Sequence, residues 1–167
     1  HGYRGWGVLH RLALRLSIAL FYRGADHRLG VSRGVIADLA QLSGISLSHF
    51  EVIHNPIRRF DLPEAASPEV EALWDAPPGK RILTVGSLKA VKNHALLLRA
   101  FAAMKDSEAT LMILGEGQLR GELEALAEEL GIAQQLRMPG FYADPMPFYA
   151  SADLFALSSN HEGFGNV

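Results

Sequence analysis

The spacing of apolar positions changes twice along the chain. From Trp6 to Tyr22 they recur at helical intervals (Val8, Leu9, Leu12, Leu16, Ala19, Leu20) with Arg4, Arg11, Arg15 and Arg23 interleaved, which predicts an amphipathic helix closed by Gly24. Short apolar runs at residues 28–31 and 50–54 read as strands on either side of a helix over 33–42. Ser32 is its predicted cap and Gly44 its end, and Pro56 stops the second strand because it has no N–H to donate. Beyond residue 80 the rhythm becomes regular. Strands at 81–85, 110–114, 136–138 and 154–157 alternate with helices at 93–104, 118–130 and 146–151, which predicts βαβ units and a parallel sheet. Residues 58–79 carry four prolines and no period, so they read as a linker.

Ligands of such sheets bind at the carboxyl ends of the strands, which singles out four loops. In the first, VGSLKAVKN, Gly86 follows a strand directly and Lys92 could set a cation against a phosphate, although a surface lysine beside a helix start is also ordinary. In the second, Gly115, Gly117 and Gly121 resemble a dinucleotide fingerprint. The spacing is one residue too long, and Arg137 stands where a ribose-binding acid would be, so an NAD(P) site would need Arg137 as a 2′-phosphate ligand. The third loop offers backbone at Pro139 and Gly140 with two aromatics, Phe141 and Tyr142, or else a simple turn over core rings. The fourth has the strongest signal. Glu162 precedes Gly163, Phe164, Gly165 and Asn166, which read as the start of a helix whose free N–H groups would hold an anion, with the carboxylate facing hydroxyls.

Composition alters this picture in three places. The net charge of −2 hides a basic start: residues 1–36 hold six arginines and one acid, Asp26, and the remainder ten Lys and Arg against seventeen acids. That segment either faces an anionic membrane or acceptor, at about 1 kcal/mol per cation near such a surface, or is a solvated helix face. The chain has no cysteine, which excludes disulfides and thiolate metal sites and fits a reducing compartment. Its longest apolar stretch, near residues 16–22, is far short of a membrane span. The chain begins at His1 without a methionine and stops at Val167 inside the expected last helix, so it reads as a piece of a longer protein.

Four stretches in order, RILTVGSLKAVKNHALLLRAFA, LMILGEGQLRGELEALAEELGI, LRMPGFYADPMPFYASADLFALSS and HEGFGNV, resemble the C-terminal domain of glycosyltransferase family 4. YRGADHRLGVSRGVIADL and VIHNPI resemble, more loosely, the end of the family's first domain and the crossover from it. The resemblance implies an α/β fold of GT-B type, two Rossmann-like domains with parallel sheets, both incomplete here. Residues 1–57 would end the acceptor domain, 58–79 link, and 80–167 begin the donor domain. It implies a retaining transferase that moves a sugar from a UDP- or GDP-linked donor to a saccharide or lipid-linked acceptor, in cell-surface polysaccharide or glycoconjugate synthesis. The expected setting is cytoplasmic, peripheral on the inner face of the plasma membrane, with no cofactor, metal or nucleic acid.

Position by position, the resemblance gives Lys92 to the donor diphosphate and Glu162 to the donor sugar, as the first glutamate of an E-x7-E motif whose second member falls three positions past Val167. Gly163, Phe164, Gly165 and Asn166 become the backbone near sugar and phosphate. Arg137, Pro139, Gly140 and Phe141 become the nucleobase loop. Gly86, Ser87, Lys89, Gly115 and Gly117 complete the donor side, and His1 matches the family's active-site histidine. Ser87 departs from the family's usual arginine; losing one preorganised donor costs about 3 to 4 kcal/mol in barrier, and Lys89 is the nearest substitute. Two rival readings stay open: an NAD(P)-binding Rossmann module, and a non-catalytic transferase relative. The chain has no D-x-D pair and no glycosidase-like carboxylate pair.

Overall fold

The computed structural model describes residues 7–57, 63, 67–76, 78–163 and 165–167. They divide into two compact units, residues 1–58 with 161–166, and residues 59–160 with 167.

In the first unit, α1 (Val8–Arg23) leads to β1 (Leu29–Gly30), α2 (Arg33–Ser43) and β2 (Glu51–Val52), and the two strands pair in parallel. Ser32 caps α2 by accepting the Val35 N–H at 3.3 Å, and Gly44 closes it in the left-handed conformation, both as the residue types predict. The Arg28 guanidinium donates to the Tyr22 and Arg23 carbonyls, so a cation covers the negative end of α1. The face of α1 differs from expectation. Leu9 is 83% exposed, and Leu12, Leu16 and Leu20 are exposed with it, while Leu14, Ile18 and Tyr22 are half-buried on the opposite side, where α1 meets α2. The helix is apolar on two sides, and periodicity picked out the uncovered one.

The second unit begins with α3 (Pro68–Trp74), inside the stretch read as a linker. Ser67 caps it, Pro68 starts it with a preset φ, and Trp74 is fully buried with its indole N–H donating to Ser151 Oγ at 2.8 Å. The Arg81 guanidinium lies 5.7 Å from the Trp74 ring and donates to the Ala76 carbonyl and to Glu71. That hydrogen bond holds the Glu71 carboxyl below the usual carboxylate range. A seven-residue helix between prolines shows no period long enough to read, and its tertiary partners are what fix it.

There follow β3 (Arg81–Val85), α4 (His94–Met104), β4 (Thr110–Leu114), α5 (Arg120–Glu129), β5 (Leu136–Gly140), α6 (Met146–Ser151) and β6 (Leu154–Phe155). The strands form one parallel sheet in the order β5-β4-β3-β6. Successive side chains face opposite sides, so Ile82, Leu111 and Ile113 pack with Leu98, Phe101 and Leu123, while Leu83, Met112 and Leu114 pack with Val70, Trp74 and Phe148. A core on both faces is the doubly wound arrangement expected from the alternation. Asp153 accepts the backbone N–H groups of Gly79 and Arg81, both at 2.8 Å, which sets β6 in register against β3. No described helix is long and apolar enough to cross a membrane.

Trp74→Ala should lower unfolding stability by about 3–5 kcal/mol, read from urea denaturation, whereas a true linker residue would change it by less than about 0.5 kcal/mol.

Candidate functional site

The hydrogen-bond ladder continues past the carboxyl ends of the strands. Gly86 N–H donates to the Leu114 carbonyl at 2.9 Å, Leu88 N–H to Glu116 at 3.0 Å, Gly115 N–H to Gly140 at 2.9 Å and Leu119 N–H to Leu88 at 3.2 Å. The loops after β3 and β4 therefore lie backbone against backbone. A Cβ on Gly115 would sit 2.1 Å from the Gly86 carbonyl oxygen, and one on Gly117 2.5 Å from that of Leu88. Close loop packing thus accounts for both glycines without any ligand. It also delays α5 to Arg120, since residues 117–119 are held in the loop.

These loops enclose a cleft of about 260 Å³ over Val85 and Leu114, walled by Gly86, Ser87, Gly115, Glu116, Phe141 and Tyr142. Phe141 is 74% exposed, and Tyr142 packs edge-on against Phe148 with ring centres 4.7 Å apart. Arg120 holds both oxygens of Glu116 and donates to the Met138 carbonyl, and this pairing keeps the Glu116 carboxyl below its ordinary range. A larger cleft of about 610 Å³ lies in the groove between α4 and α5, but its described lining includes Glu122 and Glu129 and no lysine or arginine, which unsuits it to an anion.

The strongest cation candidate sits beside the smaller cleft. After Lys89, a 3-10 turn (Ala90–Lys92) leads into Asn93, whose left-handed backbone (φ 49°) and side chain cap α4. The methylenes of Lys92 lie 3.5 Å from where a Cβ of Gly86 would stand, an ordinary van der Waals contact, so the lysine stem crosses beside the end of β3. Lys89 N–H donates to the Ser87 carbonyl at 2.8 Å. Gly86, Ser87, Lys89 and Lys92 thus share one loop, Lys92 meeting Gly86 through its stem and Lys89 meeting Ser87 through its backbone.

A model of the family described as glycosyl transferases group 1 matches residues 74–167, more than half of the chain. The chain belongs to that family. It is 40% identical over 93% of its length to the N-acetylgalactosamine-N,N'-diacetylbacillosaminyl-diphospho-undecaprenol 4-alpha-N-acetylgalactosaminyltransferase of Campylobacter jejuni, of which it covers 41%. Among solved structures it resembles the lipopolysaccharide outer core galactosyltransferase WaaB in its apo form, with TM-score 0.64, 27% identity, and coverage of 84% of this chain and 38% of that one. It also resembles Anabaena Alr3699/HepE in complex with UDP and glucose, with TM-score 0.72, 23% identity, and coverage of 89% and 42%. The chain therefore spans about two-fifths of the length of these relatives. The α/β fold is of the GT-B type found in these group 1 transferases.

The remaining expected residues fall on β5 and on the last residues of the chain. Arg137 lies near the amino end of β5 and donates to the Gln134 carbonyl at 2.7 Å and to Asp75 at 3.2 Å, while Gly140 and Phe141 reach the cleft end of the same strand. Pro139 lies between them within β5. Glu162, Gly163, Gly165 and Asn166 belong to the first unit. Gly163 lies near Val35, with 3.6 Å between its Cβ position and that side chain, and Asn166 accepts from Asn55 at 3.1 Å. The helix expected after Glu162 is not found among described residues 161–163 and 165–167. That helix was expected to run on past Val167. His1 and Phe164 lie outside the described residues. No cluster of three metal-ligating side chains occurs among the described residues.

Sequence reasoning passed over His94, first residue of α4. It is only 4% exposed, and neither ring nitrogen has a hydrogen bond of good geometry. Burial pushes its pKa down, while the nearby Ser87 backbone opposes this weakly. A histidine one place after a capping asparagine was the available signal. Its folded pKa lies below the unfolded value of about 6.5, so its contribution to stability is present above pH 6.5 and is lost as the pH falls toward the folded pKa. The melting temperature should therefore decline between pH 7 and pH 5, and His94→Gln should flatten that decline in a thermal scan at each pH.

Proposed function

We propose that the protein is a retaining glycosyltransferase that moves a sugar from a UDP- or GDP-linked donor to a saccharide or lipid-linked acceptor in glycoconjugate synthesis. The observation that carries this reading is the Lys92 stem crossing Gly86 at the mouth of a strand-end cleft of about 260 Å³. The Campylobacter relative's name, with a saccharide on diphospho-undecaprenol as its acceptor, supports the lipid-linked class, and the HepE complex supports UDP. In this reading residues 1–57 end an acceptor domain and 80–167 begin the donor domain, which takes the nucleotide at Gly86, Ser87, Gly140 and Phe141. Glu162 is assigned to the sugar.

Transfer requires that charge developing on the leaving diphosphate be met as the anomeric bond stretches. Lys92 supplies that charge here, and Lys89 stands in for the cation absent at Ser87, with no metal or cofactor assigned. The NAD(P) alternative has lost its main support, because backbone packing already explains Gly115 and Gly117. The arginines of α1, Arg11, Arg15 and Arg23, support a reading in which the protein sits against the inner face of an anionic membrane.

Calorimetry on the intact protein should give binding of UDP or GDP and none of NADP; the reverse result removes the transferase reading. Lys92→Ala should cut turnover of a radiolabelled donor by about 10²- to 10³-fold and Lys89→Ala by about tenfold, with a chelator leaving the wild-type rate unchanged. Sedimentation with phosphatidylglycerol vesicles should capture the wild type at low salt and release it when Arg11 and Arg15 are both alanine; equal capture of the two would end the membrane assignment.

A further inference from the structure

Lys92 ends a turn of three residues whose own bonds run from the Lys92 N–H to the Lys89 carbonyl at 3.0 Å and from the Asn93 N–H to the Ala90 carbonyl at 3.2 Å. The chain leaving β6 adds further bonds. Ser158 Oγ donates to the Lys92 carbonyl at 3.0 Å, and Asn160 N–H donates to the Val91 carbonyl at 2.9 Å. Asn160 Oδ1 accepts from Asn93 Nδ2, also at 2.9 Å, while Asn93 Oδ1 receives the Leu96 N–H of α4. Val91, Lys92 and Asn93, three consecutive residues, are each tied to the same short segment. Asn160 suits this place because its backbone donates to the residue before Lys92 while its side chain accepts from the residue after it.

We infer that Ser158 and Asn160 are positioning residues for Lys92, clamping the backbone of its turn so that the ammonium is delivered over Gly86 to a diphosphate. The inference rests on the nucleotide-sugar reading above. A lysine side chain loses up to about 2 kcal/mol of rotamer freedom when it is ordered. Fixing its backbone beforehand removes a further cost from binding, and this is the gain the clamp provides. Neither clamp residue needs to touch the ligand, so their removal acts through the lysine alone.

The test is a double-mutant cycle on the intact protein. Asn160→Ala should weaken UDP, or GDP if that is the nucleotide bound, by about 5- to 10-fold in calorimetry, the size of the one hydrogen bond lost, from Asn93, since the backbone N–H to Val91 remains. Affinity for the matching nucleoside, followed by NMR titration, should stay within about twofold, because it carries no phosphate for Lys92 to meet. In the Lys92→Ala background the same substitution should have no further effect on the diphosphate. If Asn160→Ala does not fold, Ser158→Ala is read in the same way, with the melting temperature recorded beside it. The clamp is overturned if nucleotide and nucleoside weaken together, if the loss persists without Lys92, or if the affinity does not change. A wild type that binds neither UDP nor GDP removes the nucleotide reading and the clamp with it, whereas binding that is indifferent to Asn160 and Ser158 removes the clamp alone.

Discussion

Two loops run so close together that a carbonyl oxygen occupies the place where a side chain would begin. The Gly86 and Leu88 carbonyls fill the positions that a Cβ on Gly115 and on Gly117 would claim, so only glycine is tolerated at either place. Much of the second unit's upper surface depends on that contact. It continues the β3–β4 ladder beyond the sheet, fixes where α5 can start, and places Ser87 and Glu116 in the walls of one cleft. An ordinary residue at Gly115 would push the loop after β3 outward and carry the lysine turn with it.

The sheet beneath gives these loops a rigid base. β3 and β4 are buried on both faces, and their alternate residues feed two separate clusters, one under α4 and α5 and one under α3 and α6. Group 1 transferases are recognised here through the order of strand-end loops, each of which alone has an innocent explanation. Buried Arg81 is taken up by Glu71 and Ala76, and half-buried Arg137 by Asp75 and Gln134. Lys92 and Lys89 lie where the strands end, the edge of a parallel sheet at which ligands bind.

The parts legible from sequence were those dictated by local chemistry. RILTV and TLMIL are continuous apolar runs between turn residues, and both strands fall where that pattern puts them. The asparagine cap of α4 and the serine cap of α2 follow from side-chain oxygens that can reach an orphan N–H. What escaped was decided at a distance. Helix α3 exists because Trp74 has a pocket and a partner in Ser151, which no window of sequence contains. His94 looked like one more polar residue at a helix start, and only the packed loop around Ser87 makes it a buried base. Arg137 lies three residues before Gly140 in a strand rising about 3.3 Å per residue, and its guanidinium is bonded to Gln134 and Asp75, partners the sequence does not show.

Helix α1 carries apolar side chains on two opposite flanks, only one of which meets α2. Such a helix belongs between layers, and water along the stripe of Leu9, Leu12, Leu16 and Leu20 is an expensive neighbour, at about 25 cal/mol for each Å² left wet. Any polypeptide displaying that seam carries a standing drive toward self-association. How the first unit behaves in a tube will depend more on what shields those four leucines than on the order of its own short strands.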